Sequence, residues 1–193
     1  MKIVTIAFST VIVLSLALAA CAAPPLEEMQ KAQNAVMRAE SDADTVAYAG
    51  NTLVRARDAL TRMQGEADAK RYDAAKNFAA EATSYAEQAI SDGRAGAARA
   101  MDDAANLINS LAGPLADTAG ALNAARSVDG IQLDFNSLSR DLSTAQSTYD
   151  DAWQSFNADD YRGAIDKGET VRSMLSDINA RITDAAIVTS RKQ

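Results

Sequence analysis

The side chains able to make or break bonds are few in this sequence. Histidine is missing altogether, and cysteine occurs once, at position 21. Without imidazole there is no Ser-His-Asp or Cys-His nucleophile and no His-ligated zinc. A lone cysteine excludes an internal disulfide framework and a cysteine-based zinc cluster. What remains is carboxylate, with Asp102–Asp103, Asp150–Asp151 and Asp159–Asp160 as adjacent pairs. A calcium loop needs converging oxygens and a turn glycine at D-x-D-x-D-G spacing, which none of these pairs shows. Neighbours on a helix point about 100° apart, so an adjacent pair does not chelate. Asp159–Asp160 is instead placed to cap a helix and complement its dipole. No catalytic residue, metal ligand or dissociable cofactor is expected. Tyr149, Trp153 and Phe156 are spaced by four and three, with Tyr161 shortly after. They could form an aromatic patch for a protein or glycan partner, but sealing the end of a helical bundle is the more ordinary role for such bulk.

The elements that must carry these residues are helices. The chain has 193 residues, of which 42 are alanine, the best helix former. No sustained apolar/polar alternation marks a strand in the body of the chain. Apolar residues instead recur at three and four. Leu53, Ala56, Leu60, Met63 and Ala67 form one stripe; Tyr72, Ala75, Ala79, Ala82, Ala86 and Ala89 form another. A third runs from Met101 through Ile108, Leu111, Leu115 and Leu122 to Ala125. A fourth joins Leu142, Ala145, Tyr149, Ala152 and Phe156. The fifth, from Tyr161 to Ala185, implies a helix of roughly 28 residues, about 42 Å long. A 3.5-residue period belongs to coiled-coil-like packing, so an all-α fold of antiparallel helical hairpins is expected.

Punctuation places the joints. Ala49-Gly50-Asn51-Thr52 reads as a stop followed by an N-cap. Gly113-Pro114 reads as a C′ glycine and a proline opening the next helix, with a kink in one longer helix as the alternative. Gly93 and Gly96 predict a bend or fraying after Ala89. Val128-Asp129-Gly130 and Asn136-Ser137 bracket a short connection. The resulting division is a first helical unit over 26–112 and a second over 113–193.

The two units are related. At a constant offset of 89, Leu53 pairs with Leu142, Ala56 with Ala145, Met63 with Ala152, Tyr72 with Tyr161 and Ala75 with Ala164. Each copy reads as a helix, a short polar connection and a second helix opened by tyrosine. A single hairpin buries little, which is why such units stack.

The N-terminus carries an address. Lys2 is followed by an uncharged run to Ala20, rich in Val, Ile, Leu and Ala, the layout of a secretory signal peptide over residues 1–20. Leu18-Ala19-Ala20-Cys21 resembles the lipobox of bacterial lipoproteins. The resemblance implies recognition of Leu18, Ala19 and Ala20 by a signal peptidase and cleavage before Cys21. It further implies a diacylglycerol on the Cys21 thiol and an acyl chain on the new amine. Residues 21–25, ending in Pro24-Pro25, would be a short stiff linker. Ala22 rather than Asp after the cysteine resembles lipoproteins sorted to the periplasmic face of the outer membrane. Two or three acyl chains make a firm anchor, where one holds only marginally. Acids outnumber bases 26 to 19 and the pI is about 4.6, which disfavours a nucleic-acid partner. Cleavage removes Lys2, leaving 18 bases against 26 acids, so the acyl chains rather than a basic surface would supply the attachment.

The stretch from Pro25-Leu26-Glu27 to Ala47-Tyr48-Ala49, then Leu53-Val54-Arg55-Ala56-Arg57-Asp58-Ala59-Leu60 and Tyr72-Asp73-Ala74-Ala75, carries a further resemblance. It is similar to a domain-of-unknown-function family of short alanine-rich bacterial lipoproteins, over residues 25 to about 100. In some relatives that domain precedes an outer-membrane-protein-A-like, peptidoglycan-binding domain. The Ala-Pro usual before the second helix is Ala49-Gly50 here, and the family brings no activity to transfer. The expectation is a non-enzymatic, lipid-anchored spacer or interaction module facing an envelope or cell-wall partner, with self-association plausible. The alternative is a periplasmic ligand- or peptide-binding module.

Overall fold

A computed structural model describes residues 23–191. Six helices and no strand occur among them: α1 Leu26–Ser41, α2 Ala43–Tyr48, α3 Gly50–Asp68, α4 Tyr72–Arg126, α5 Phe135–Asn157 and α6 Tyr161–Ser190. The fold is an all-α bundle, as the stripes predict. It divides into two compact units between Arg94 and Ala95.

The first unit packs α1, α2, α3 and the start of α4. Its core is almost wholly small: Ala32, Ala35, Val36 and Ala39 of α1 meet Leu53, Ala56, Ala59 and Met63 of α3 and a row of alanines on α4. Alanine lets helix backbones approach closely but hides little apolar area from water. Direction follows from cross-links. Glu28 Oε1 lies 3.0 Å from Lys76 Nζ, and Thr45 abuts Gly93, so α1–α2 runs parallel to this part of α4. Thr52 Oγ1 donates to Asp92 Oδ2 at 3.0 Å and Arg57 pairs with Glu40, so α3 runs antiparallel to both.

The second unit packs the end of α4 with α5 and α6, in three layers. Ala104, Ile108, Ala152 and Ala164 form one end; Leu107, Leu111, Leu115, Ala145, Val171 and Leu175 the middle; Leu122, Leu138 and Ile178 the other end. Within the last stretch, the fully buried Thr118 hydroxyl accepts from Asn179 Nδ2 at 2.8 Å. Asp134 caps α5 by accepting from the Asn136 and Ser137 N–H groups.

The repeat recurs in backbone geometry. α3 ends in a turn where Lys70 N–H donates to Ala67 O and Arg71 N–H to Glu66 O. Eighty-nine residues later, Asp159 N–H donates to Phe156 O and Asp160 N–H to Ser155 O. Both are Schellman turns, with left-handed residues at Lys70 (φ +57°) and Asp159 (φ +60°). Where the first unit has Ala79, Ala82, Ala86 and Ala89, the second has Gly168, Val171, Leu175 and Ile178, buried at matching positions.

Four expectations are corrected. Gly113-Pro114 starts no helix: α4 runs unbroken from 72 to 126. Proline inside a helix costs about 3 kcal/mol, whereas Ile108, Leu111, Leu115 and Leu122 on the same stripe are buried at about 1.5–3 kcal/mol each. Pro114 also faces solvent, leaving the Ser110 carbonyl open to water. The division between compact units falls between Arg94 and Ala95, inside α4. Gly93 does not fray the helix, which continues through it; it is a packing position against Thr45. Asn51 and Thr52 cap nothing: α3 starts one residue earlier with Ala49 as its N-cap, while Thr52 is bonded to Asp92. Met101 is 40% exposed, the buried position being the neighbouring Ala100.

Candidate partner surface

Tyr149, Trp153 and Phe156 come together on one end of the second unit because α5 presents them at helical spacing toward α4 and α6. Trp153 and Phe156 stack edge to face, with ring centroids 5.6 Å apart and planes at 81°; Phe156 and Tyr161 lie 5.6 Å apart at 60°. Each ring is half-buried and packed on Ala104, Ile108, Ala152 and Ala164. The small residues on all three helices leave a volume that the rings fill, and edge-to-face geometry is the favoured one for aromatic pairs. Burial on this scale supports the sealing role over an open binding patch.

The paired acids do not converge. Asp102, Asp103, Asp150 and Asp151 all point to solvent. Asp160 caps α6, its Oδ1 accepting from Gly163 N–H at 3.0 Å, and Asp159 accepts from the Tyr161 hydroxyl at 2.8 Å. Among the described residues no group of three or more acids is placed to hold a metal ion. No helix among them is long and apolar enough to cross a membrane. Leu18, Ala19, Ala20 and Cys21 lie outside the described residues.

Two grooves were not legible in the sequence. One, of about 280 Å³, lies in the first unit over Ala79, Ala80 and Thr83, with Glu28 and Lys76 on its rim. The ion pair across it holds the Glu28 carboxyl below, and the Lys76 ammonium above, its ordinary value. The other, of about 390 Å³, lies in the second unit between the 130–134 connection and the last turns of α6, where Leu133 and Val188 meet Arg181 and Asp184. Arg181 is already engaged by Asp141 at 2.7 Å. Every buried side-chain nitrogen or oxygen among the described residues has a hydrogen-bond partner, so no orphaned polar group reaches into either groove for a ligand. Both grooves arise from pairs of residues far apart in sequence, which no periodicity reveals.

Residues 27–105 match one family model, running from α1 to just past the end of the first unit. The matching family is described as a domain of unknown function, DUF4398. The DUF4398 match takes in about two fifths of the chain and agrees with the resemblance carried by the Leu26–Tyr48 and Leu53–Leu60 segments. No curated protein and no solved structure matches the chain. The DUF4398 segment thus comprises a helical bundle whose family description assigns no activity.

Proposed function

We propose that the chain is a lipid-anchored, non-catalytic helical module of the bacterial cell envelope, held on the periplasmic face of the outer membrane as a spacer or interaction domain. One observation carries this reading. The sole cysteine stands at the last position of Leu18-Ala19-Ala20-Cys21, directly after an uncharged apolar leader headed by Lys2. A thiol at that position, on losing its proton, can displace the headgroup phosphate of a phospholipid and form a thioether to its diacylglyceryl carbon, and Pro24-Pro25 then separates the lipid from a bundle that opens at Leu26. The helical body supports the reading: its aromatic side chains are spent on packing, and its acids are surface charges or helix caps.

Replacing Cys21 with serine tests it. In a Gram-negative host the Cys21→Ser chain should move from the membrane pellet to the soluble fraction. A Cys21→Ser chain that still sediments with the outer membrane would refute the anchor.

A further inference from the structure

The first unit has two ends of different charge. At one end α1 begins, α3 finishes and α4 opens, the Glu28–Lys76 ion pair fastening the two starts together. The segments there, 26–31 and 62–76, hold five acidic and five basic side chains. At the other end, segments 42–51 and 87–94 hold four acidic and one basic. Anionic lipid repels that second end and tolerates the first. The balanced end also presents Leu26 with 68% of its surface bare, the half-buried Tyr72 and the exposed Lys70 on the turn. Apolar, tyrosine and lysine side chains are the types that settle at a membrane interface.

We propose that this end of the first unit rests on the phospholipid bilayer, with Leu26 entering the interface and Lys70 meeting lipid phosphates. The inference rests on acylation of Cys21, which deepens the reading above. Leu26 lies five positions after Cys21, so even a fully extended chain holds Leu26 within about 18 Å of the acylated residue. The anchor thus fixes which end of the bundle faces lipid, and the acidic end faces away.

The test uses the full-length acylated chain in vesicles of phosphatidylethanolamine and phosphatidylglycerol containing a lipid with a nitroxide on its headgroup. Acylation consumes the native thiol, so a bimane label reacts only with a cysteine introduced at Lys70→Cys or Asn51→Cys. These positions lie near opposite ends of α3, about 25 Å apart along its axis. Loss of fluorescence at 70 and not at 51 is expected, and adding Leu26→Glu should weaken the loss at 70. Equal quenching at both positions, quenching at 51 alone, no quenching at either, or indifference to Leu26→Glu would overturn the proposal, provided intact mass shows the acyl chains. A chain lacking acyl chains, which would not float with the vesicles, overturns the anchor reading itself and this seating with it.

Discussion

Gly93 sits where α2 crosses α4. A Cβ built on it would lie 2.7 Å from the Thr45 Cα and N atoms and 2.9 Å from the Asp44 carbonyl carbon. Those are backbone atoms, which cannot swing aside as a side-chain tip can. Gly93→Ala should therefore destabilise the fold by about 1–3 kcal/mol, although alanine is the better helix former. Gly120→Ala is the control: nothing lies within 4 Å of its added Cβ, so the helix should gain about 0.5–1 kcal/mol. Urea titration of both variants decides the matter, and a stabilised Gly93→Ala would contradict the crossing. Beside this contact Asp42 caps α2, its carboxylate accepting from the Thr45 N–H and hydroxyl, each at 2.8 Å. These bonds, the backbone one foremost, hold the Asp42 carboxyl below its ordinary value. A lowered folded-state value means its stabilisation is complete above about pH 4 and is lost as pH falls through that lowered value. Glu28 and Glu66 are lowered in the same direction, by Lys76 and Arg71. Thermal midpoints followed by circular dichroism should hold steady from pH 7 to about 5 and fall below about 4. Asp42→Asn, which retains an acceptor but cannot titrate, should make that fall shallower.

Helix ends and breaks govern the next scale. Both Schellman turns place an L-residue in the left-handed region, at Lys70 and Asp159, at about 1–2 kcal/mol each relative to glycine. Lys70→Gly should raise stability by up to about 1 kcal/mol; Asp159→Gly should gain less, because it gives up the bond to the Tyr161 hydroxyl. A Lys70→Gly chain that melts earlier would count against the turn geometry. Pro114→Ala restores one backbone hydrogen bond on the solvent face of α4 and should stabilise by up to about 3 kcal/mol. The stripes were legible in sequence because a 3.5-residue period survives any detail of packing, and Leu53, Met63, Ile108, Leu111 and Ile178 are all buried. The joints were harder. Gly113-Pro114 carries a strong local stop signal that loses to four large buried side chains on the same helix. Gly93 looks like a helix breaker until Thr45, 48 residues away in sequence, is seen against it. Local signals state preferences, whereas the outcome depends on burial that only the assembled bundle supplies.

Across the whole molecule, the proposed division of labour is between a lipid anchor at Cys21 and a helical body built twice on one plan. The offset of 89 was readable from side chains alone, and the backbone repeats it down to the individual hydrogen bonds of the turns. The two bodies differ in substance. The first is cored by alanine, with Met63 its largest fully buried side chain, while Ile108, Leu138 and Ile178 are fully buried in the second. The first unit should accordingly lose protection from amide exchange before the second, because smaller side chains fill its core. Of the aromatic cluster, the sequence indicated the residues and a sealing role but not the contacts with Ala104, Ile108 and Ala164, since those depend on helices meeting from separate parts of the chain. The most direct test of the lipid-anchor reading is the intact mass of the chain extracted from the membranes of a Gram-negative host. A polypeptide beginning at Cys21, heavier by a diacylglycerol and one further acyl chain, is the predicted result. A chain that still begins at Met1, or is cut elsewhere with a free Cys21 thiol, would contradict it.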